Sequence, residues 1–192
     1  MITGVGYTFY QKTFKQIMVG YFTKVLYRIA LYQNNYIFFQ NKDDEKLFTQ
    51  KKLVNKRNKL IQINGSGVNL DYFYYSKPSI EPFTFLIISR LLIEKGIFEF
   101  IYAAKKIKNK FPKVNFEIIG FSDDGPSAIS ENEIKKWENM GVIKFLGFKK
   151  DVRKYIEKCS VYVLPSYREG TPRSVLEALS MGRPIITTDT PG

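Results

Sequence analysis

The chain has 192 residues, 44% of them hydrophobic, which suffices for one good core or for one domain plus a piece of another. Lys and Arg number 30 against 18 Asp and Glu, a net charge of +12 that points to anionic partners (nucleotide, nucleic acid or an acidic membrane surface) or to a solvated basic surface. With no histidine and one cysteine, His-based triads, His-ligated metals and an internal disulfide framework are excluded, and no run approaches the ~20 apolar residues of a membrane-spanning helix.

The N-terminal stretch "MITGVGYTFYQKTFK" lacks an apolar secretory core, so a cytoplasmic protein is expected. Phe14, Ile17, Met18, Tyr21, Phe22, Val25, Leu26 and Ile29 then recur at helical spacing, with Lys12, Gln16 and Thr23 opposite. This predicts a long amphipathic helix, with Arg28 inside its apolar arc. It can pack on a sheet or rest on a membrane surface. Packing is favoured, because the apolar strand "YIFFQ" follows at once. Asn41 suits the N-cap of a helix through "KDDEKLFTQKK", whose first turn is acidic. Leu60, Ile61 and Ile63 read as a strand stopped by "NGSG". Residues 66–82, with Gly67, Pro78 and Pro82, read as a linker.

From Phe83 onward strands and helices alternate. "FTFLIIS" is a buried strand, and a helix runs from about Ile97 to Lys110. "VNFEIIG", "VIKFLG", "VYVLP" and "PIITTD" are strands. "SENEIKKWENM", "KDVRKYIEKC" and Thr171–Met181 are helices. Such alternation implies βαβ units and a mostly parallel sheet. Ligands of these sheets bind beyond the carboxyl ends of the strands, which selects the loops starting at Ser89, Gly120, Gly147 and Pro165. Cys159, just before an apolar run, reads as a core thiol.

Three clusters fall at or near that edge. In "EGTPRSVLEALSMG", Thr171 suits an N-cap, Pro172 a first helical position and Gly182 the C-terminal stop. The backbone amides and helix dipole there favour an anion such as phosphate, and Gly170 lets a ligand approach closely. Glu177 sits among apolar neighbours, where a carboxylate needs good hydrogen-bond donors. Ribose hydroxyls are suitable, and Glu169 could reach hydroxyls of a sugar on the same phosphate. Local physics leaves a ligand carboxylate and a structural ion pair at Glu177 equally open. In "ISRLLIEKG", Arg90 and Lys95 are two cations that suit a diphosphate, against a reading of plain surface basicity. In "NGSGVNLDYF" the glycines permit an unusual turn at a domain junction, or simply a loop.

Taken together these motifs resemble glycosyltransferase family 4, the retaining sugar transferases of GT-B fold. The matches are "NGSGVNLDYF", "SRLLIEKGIFEFIYAA" and "PSYREGTPRSVLEALSMGRPIITTDTPG", the last with a pair of glutamates, Glu169 and Glu177, separated by seven residues. "ITGVGYTFYQKTF" and "YRIALYQNNYIFFQNKDDEKLF" are similar to the bacterial branch that builds lipid-linked surface polysaccharides. The resemblance implies an α/β GT-B architecture: a Rossmann-like parallel-sheet donor domain over 83–192, a linker over 66–82, and over 1–65 the C-terminal part of a Rossmann-like acceptor domain. It implies that Arg90 and Lys95 hold the donor diphosphate and stabilise the departing nucleotide, so that leaving-group stabilisation is chiefly electrostatic. Glu177 would bind ribose hydroxyls and Glu169 the donor sugar, with Gly170 and Thr171 offering backbone N–H groups. The catalytic set is then Glu169, Arg90 and Lys95. The donor would be a UDP-hexose or UDP-N-acetylhexosamine and the acceptor a lipid-linked saccharide, with no metal or further cofactor and no enzyme nucleophile assigned.

A GT-B enzyme needs two complete domains, and this chain is short for that at ~100–200 residues each. The glycine-rich loop and histidine expected early in the acceptor domain are absent, as are the last donor-domain elements. The chain reads as an internal fragment, with a donor domain lacking its last elements, and is expected to be inactive alone. Two other readings compete. A noncatalytic basic protein binding nucleic acid or anionic membrane needs exposed aromatics on a basic stripe, whereas the aromatics here fall at predicted core positions. No nucleic-acid partner is therefore expected, while peripheral contact with the inner face of the cell membrane is. A sugar-nucleotide epimerase needs catalytic groups that the sequence lacks.

Overall fold

A computed structural model describes Ile2 and residues 14–190, with the side chains of 14–16 left aside. Lys12 and nearly all of "ITGVGYTFYQKTF" therefore lie outside the described residues. Two compact units divide the chain. One comprises Met1–Gly67 with Glu169–Pro172 and Pro191–Gly192, the other Val68–Arg168 and Arg173–Thr190.

In the first unit a helix, α1 (Phe14–Tyr32), leads into strand β1 (Tyr36–Phe39). Helix α2 (Lys42–Gln50) and strand β2 (Lys59–Gln62) follow. β1 and β2 pair in parallel, Tyr36 opposite Lys59 and Phe39 opposite Gln62, and Ile2 bridges Phe39 from the other side. α2 begins where a cap predicts it. Asn41 is extended, its side-chain oxygen accepts from the Asp44 N–H at 2.7 Å, and its amide donates to the Asp44 carboxylate at 3.1 Å. Ile37 and Phe39 project to one side of the strand and pack with Phe48 and Leu53. Phe48 meets the rings of Tyr27 and Phe39 edge to face, at 5.0 and 5.4 Å.

The expected packing face of α1 is corrected here. Gly20 is buried, and Tyr27 and Leu31 pack on the small core. Ile17, Met18, Tyr21, Phe22, Leu26 and Ile29, expected against the sheet, are exposed instead. The reason is steric and polar together. Tyr27 finds the Phe48 ring, and Arg28 donates to the carbonyls of Lys52 (3.0 Å) and Lys51 (3.1 Å) just past the end of α2. These contacts set the rotation of the helix about its axis.

The second unit carries strand β3 (Thr84–Ile88), helix α3 (Ile97–Lys110) and strand β4 (Asn115–Ile119). Helix α4 (Glu131–Asn139), strand β5 (Lys144–Phe145), helix α5 (Arg153–Lys158) and strand β6 (Val161–Leu164) follow. Helix α6 (Arg173–Ser180) and strand β7 (Ile185–Thr187) complete it. All strand pairs are parallel, in the order β5-β4-β3-β6-β7. The chain winds outward from β3 through β4 to β5, then returns to the other side of β3 for β6 and β7. That reversal puts a topological switch point between the ends of β3 and β6. Buried strands give apolar runs on both faces, and Leu86, Ile87, Ile118, Ile119 and Tyr162 are all sealed in the core. α3 buries Ile97, Phe100, Ile101 and Ala104 at helical spacing. β5 is shorter than "VIKFLG" suggests because it is an edge strand, paired with β4 only at Lys144 and Phe145. α6 starts two residues after Thr171. It ends at Gly182 in a left-handed conformation, with the Gly182 and Arg183 N–H groups bonding back to Leu179 and Ala178.

Val68 onward belongs with the second unit, so most of the stretch read as a linker packs there. Ser180 Oγ donates to the Phe73 carbonyl at 2.7 Å and the Ser76 N–H to the Met181 carbonyl at 3.2 Å.

Candidate functional site

In the second unit the loops after β3 and β6 meet at the switch point. Gly96 makes this possible: a Cβ there would lie 2.1 Å from the Pro165 carbonyl oxygen, and its φ is +71°. The loop that leaves β6 is braced on the short 3-10 turn Ile93–Lys95. The Tyr167 N–H donates to the Glu94 carbonyl at 2.9 Å, and the Tyr167 hydroxyl donates to Glu99 on α3 at 2.5 Å. The Glu99 carboxylate raises the Tyr167 pKa, since it accepts the phenolic proton. Lys95 therefore sits in the turn that carries this loop. Arg90 follows β3 directly and pairs with Asp123 at 2.6 Å, the arginine exposed and the aspartate partly buried. The Leu91 N–H bonds the Phe121 carbonyl at 2.9 Å, which ties the loops after β3 and β4 together. Tyr162 joins the strand ends to the start of α6: its hydroxyl lies 3.0 Å from the Ile88 carbonyl and 2.7 Å from Ser174 Oγ.

Glu177 lies on α6 with its side chain 12% exposed, and Arg173 one turn earlier donates to it at 3.1 Å. Burial pushes its pKa above the ordinary carboxylate range, against the opposing pull of Arg173. The ion pair that local physics left open is thus present. Glu177 also lines a cavity of about 460 Å³ together with Tyr72, Lys150, Asp151, Val152 and Arg173. One wall of that cavity is braced by side-chain contacts. Arg153 forks onto Asp151 at 2.7 and 3.0 Å, and its guanidinium stacks 3.7 Å from the centroid of the Tyr72 ring. The Arg153 guanidinium holds the Asp151 carboxyl down to about 2. A half-buried carboxylate beside two cations can accept from vicinal hydroxyls while the cations face an anion.

Arg90 and Lys95 do not line this cavity; they stand at the ends of β3 and β6 in the same unit. Glu169, Gly170 and Thr171 belong with the first unit. There the Thr171 side chain presses on Gly65, where a Cβ would lie 2.6 Å from Thr171 Cγ2 and φ is +75°. The first glycine of "NGSG" is thereby explained by a close approach as well as a turn. Sequence reasoning missed Tyr72, Asp123, Asp151 and Arg153. It also missed Arg183, which is 2% exposed and donates to the carbonyls of Glu157, Cys159, Met181 and Ser76. The Arg173–Glu177 pair was readable from its four-residue spacing, whereas the others join distant segments. The Cys159 thiol is buried, which pushes its pKa up to about 12 and makes it a core residue. Among the described residues no group of three or more Cys, Asp or Glu is arranged to hold a metal ion.

The sheet order and the switch-point loops define an α/β protein, and its match to solved glycosyltransferase structures makes it one of GT-B type. Residues 76–192 match the model of the family "Glycosyl transferases group 1", and the chain belongs to that family. It is 30% identical to the N,N'-diacetylbacillosaminyl-diphospho-undecaprenol alpha-1,3-N-acetylgalactosaminyltransferase of Campylobacter jejuni, over 100% of this chain and 52% of the relative. It is 33% identical to the UDP-Gal:alpha-D-GlcNAc-diphosphoundecaprenol alpha-1,3-galactosyltransferase of Escherichia coli, over 57% of this chain and 29% of that protein. The crystal structure of Anabaena HepE in complex with UDP shares the fold, with a TM-score of 0.69 at 21% identity, covering 90% of this chain and 51% of that one. The chain spans about half the length of the foremost curated relatives it matches.

Proposed function

We propose that the protein acts as a retaining glycosyltransferase of family 4. It takes a hexose or N-acetylhexosamine from a UDP-sugar and adds it to a lipid-linked saccharide, in bacterial surface polysaccharide or glycan synthesis. The observation that carries this reading is Glu177, a carboxylate 12% exposed, kept partly desolvated on the wall of a 460 Å³ cavity beside Arg173 and Lys150. A ribose diol offers two O–H donors to such a group, and a nucleotide phosphate offers the anion that the cations face. Two relatives act, by name, on diphospho-undecaprenol-linked sugars, one of them from UDP-galactose, which supports the donor and acceptor classes.

Arg90 and Lys95 are assigned to the donor diphosphate. Arg90 exchanges Asp123 for phosphate when the donor binds, because a diphosphate offers more charge and a fork-shaped acceptor. As the nucleotide leaves, both cations stabilise the charge that develops on its terminal phosphate. Glu169 is assigned to the donor sugar, and Gly170 and Thr171 offer backbone N–H groups. Neither a metal nor a further cofactor enters this reading, and the protein works at the inner face of the cell membrane, where its acceptor is held.

Calorimetric titration of UDP into the purified chain tests it. Saturable binding that Arg90→Ala and Glu177→Gln each weaken at least tenfold is the expected result. Binding that neither substitution changes, or no binding by a folded chain, overturns it.

A further inference from the structure

We infer that Tyr167 and Glu99 are a positioning pair for the donor: they clasp the turn that carries Lys95 and so preset that cation for the diphosphate. The inference rests on the proposed assignment of Lys95 to the diphosphate, and it concerns the second unit alone.

The turn Ile93–Lys95 has little of its own to hold it. It is three residues of 3-10 helix, a geometry with poor hydrogen bonds, in which the Lys95 and Gly96 N–H groups bond back to Leu92 and Ile93 at 3.0 Å. α3 follows with Gly96 at its N-cap and no side-chain cap. Neighbouring loops supply what the turn lacks. From the loop after β4, Ser127 Oγ donates to the Glu94 carboxylate at 2.9 Å. The Ile93 N–H bonds the Ser127 carbonyl at 2.9 Å, and the Ile129 N–H bonds the Leu91 carbonyl at 2.8 Å.

The loop after β6 reaches the same turn twice through one residue. The Tyr167 N–H donates to the Glu94 carbonyl, and the Tyr167 hydroxyl donates to the Glu99 carboxylate. Glu94 stands one residue before Lys95 and Glu99 four residues after it, so the two bonds close over the segment that bears the cation. Burial does not account for this clasp. Tyr167 is 52% exposed and Glu99 is exposed, so the ring hides little apolar surface. What the tyrosine adds is a short, directional bond to an ionised acceptor, which fixes geometry. Lys95 needs such help, because a lysine is a point charge on a flexible stem, and a preset backbone lowers the cost of ordering it on a ligand. Arg90 is held separately, by Asp123, so loosening the clasp should weaken the donor without abolishing its binding.

The test is calorimetric titration of UDP into the full chain and its variants. Tyr167→Phe keeps the ring and removes the hydroxyl, Glu99→Ala removes the acceptor, and Glu99→Gln keeps one. Tyr167→Phe and Glu99→Ala are each expected to weaken UDP about tenfold, the value of one hydrogen bond to a charged group, with thermal melting unchanged. Glu99→Gln should bind within about threefold of the unaltered chain. In a Lys95→Gln background, Tyr167→Phe should cost less than about twofold more, because the contact it serves is already gone. A merely structural role would lower the melting temperature and cost the same in both backgrounds. UDP affinity that Tyr167→Phe leaves unchanged overturns the inference. An equal loss with and without Lys95 does so too, as does a Glu99→Gln variant as weak as Glu99→Ala. Each of these leaves the donor reading standing, whereas an unaltered chain that binds no UDP overturns that reading and the inference with it.

Discussion

The two units have opposite relations between their apolar residues and their cores. In the second, 21 described residues from Phe73 to Met181 form one buried cluster, and α3 turns its apolar side inward. In the first, five buried residues form the core, and the longest helix of the described chain turns most of its apolar side outward. Apolar patterning therefore marks packing in one unit and exposed surface in the other. Burial also scales with stability, so the second unit should unfold at higher denaturant concentration.

The largest expected effect falls on Arg183. Its guanidinium is sealed, its pKa lowered by that burial, and it bonds carbonyls of Glu157 and Cys159 on one side and of Ser76 and Met181 on the other. Arg183→Met leaves those carbonyls unsatisfied and should cost the second unit about 3–5 kcal/mol. Denaturation followed by circular dichroism reads this as a loss of the later transition, with the earlier one unmoved. In the first unit Ile37→Ala should cost about 2–4 kcal/mol through the cavity it leaves. That would leave the small core melted under conditions where the second unit survives. If both substitutions shift one shared transition equally, the two units are not thermodynamically distinct.

The contrast also explains which features could be read in the sequence. From β3 to β7 each strand is a short run of Ile, Val, Leu or Phe, because parallel strands are covered on both faces, and the alternation with helices sets the topology. Asn41 announced α2 through its own cap chemistry. The rotation of α1 was not legible. Periodicity locates apolar residues on a helix but does not say what covers them, and Gly20 and Arg28 carry little apolar signal. Arg183 was equally hidden, because its partner Ser76 lies 107 positions away. The same holds for Arg153 on the Tyr72 ring, whereas Arg173 and Glu177 were within one helical turn. Local chemistry was readable, and contacts between distant segments were not.

Glu177 lets stability and binding be separated. Its pKa is raised in the folded state, so the folded protein binds protons more readily there than the unfolded chain. Stability linked to this group is therefore lost as pH rises through that window, and the ionised form is a net cost at neutral pH. Glu177→Gln should leave the melting temperature at pH 7 unchanged or slightly higher. It should weaken UDP binding about 10–100-fold, the value of a hydrogen bond to a charged acceptor. Because the diol donates to the carboxylate, binding to the unaltered protein should begin to fail at a pH above the ordinary carboxylate value, and in the Gln variant it should not. A variant that loses stability and affinity together would make Glu177 a structural ion-pair residue.

The smallest effect sharpens the picture of the first unit. The Asn41 side chain accepts from the Asp44 N–H and donates to the Asp44 carboxylate, and both residues are buried. Asn41→Ala removes the cap at a cost of about 1 kcal/mol. In a unit with so small a core, that is a large share of the stability available, and it also disturbs α2, just beyond which the Lys51 and Lys52 carbonyls anchor Arg28. The earlier unfolding transition should move to lower denaturant while the later one stays. The edge-to-face contact of Tyr27 with Phe48 should loosen with α2, read as an earlier loss of near-ultraviolet circular dichroism from the first unit. An earlier transition left unmoved would mean that the packing of Phe48 on Tyr27 and Phe39, and not the cap, holds α2 in place.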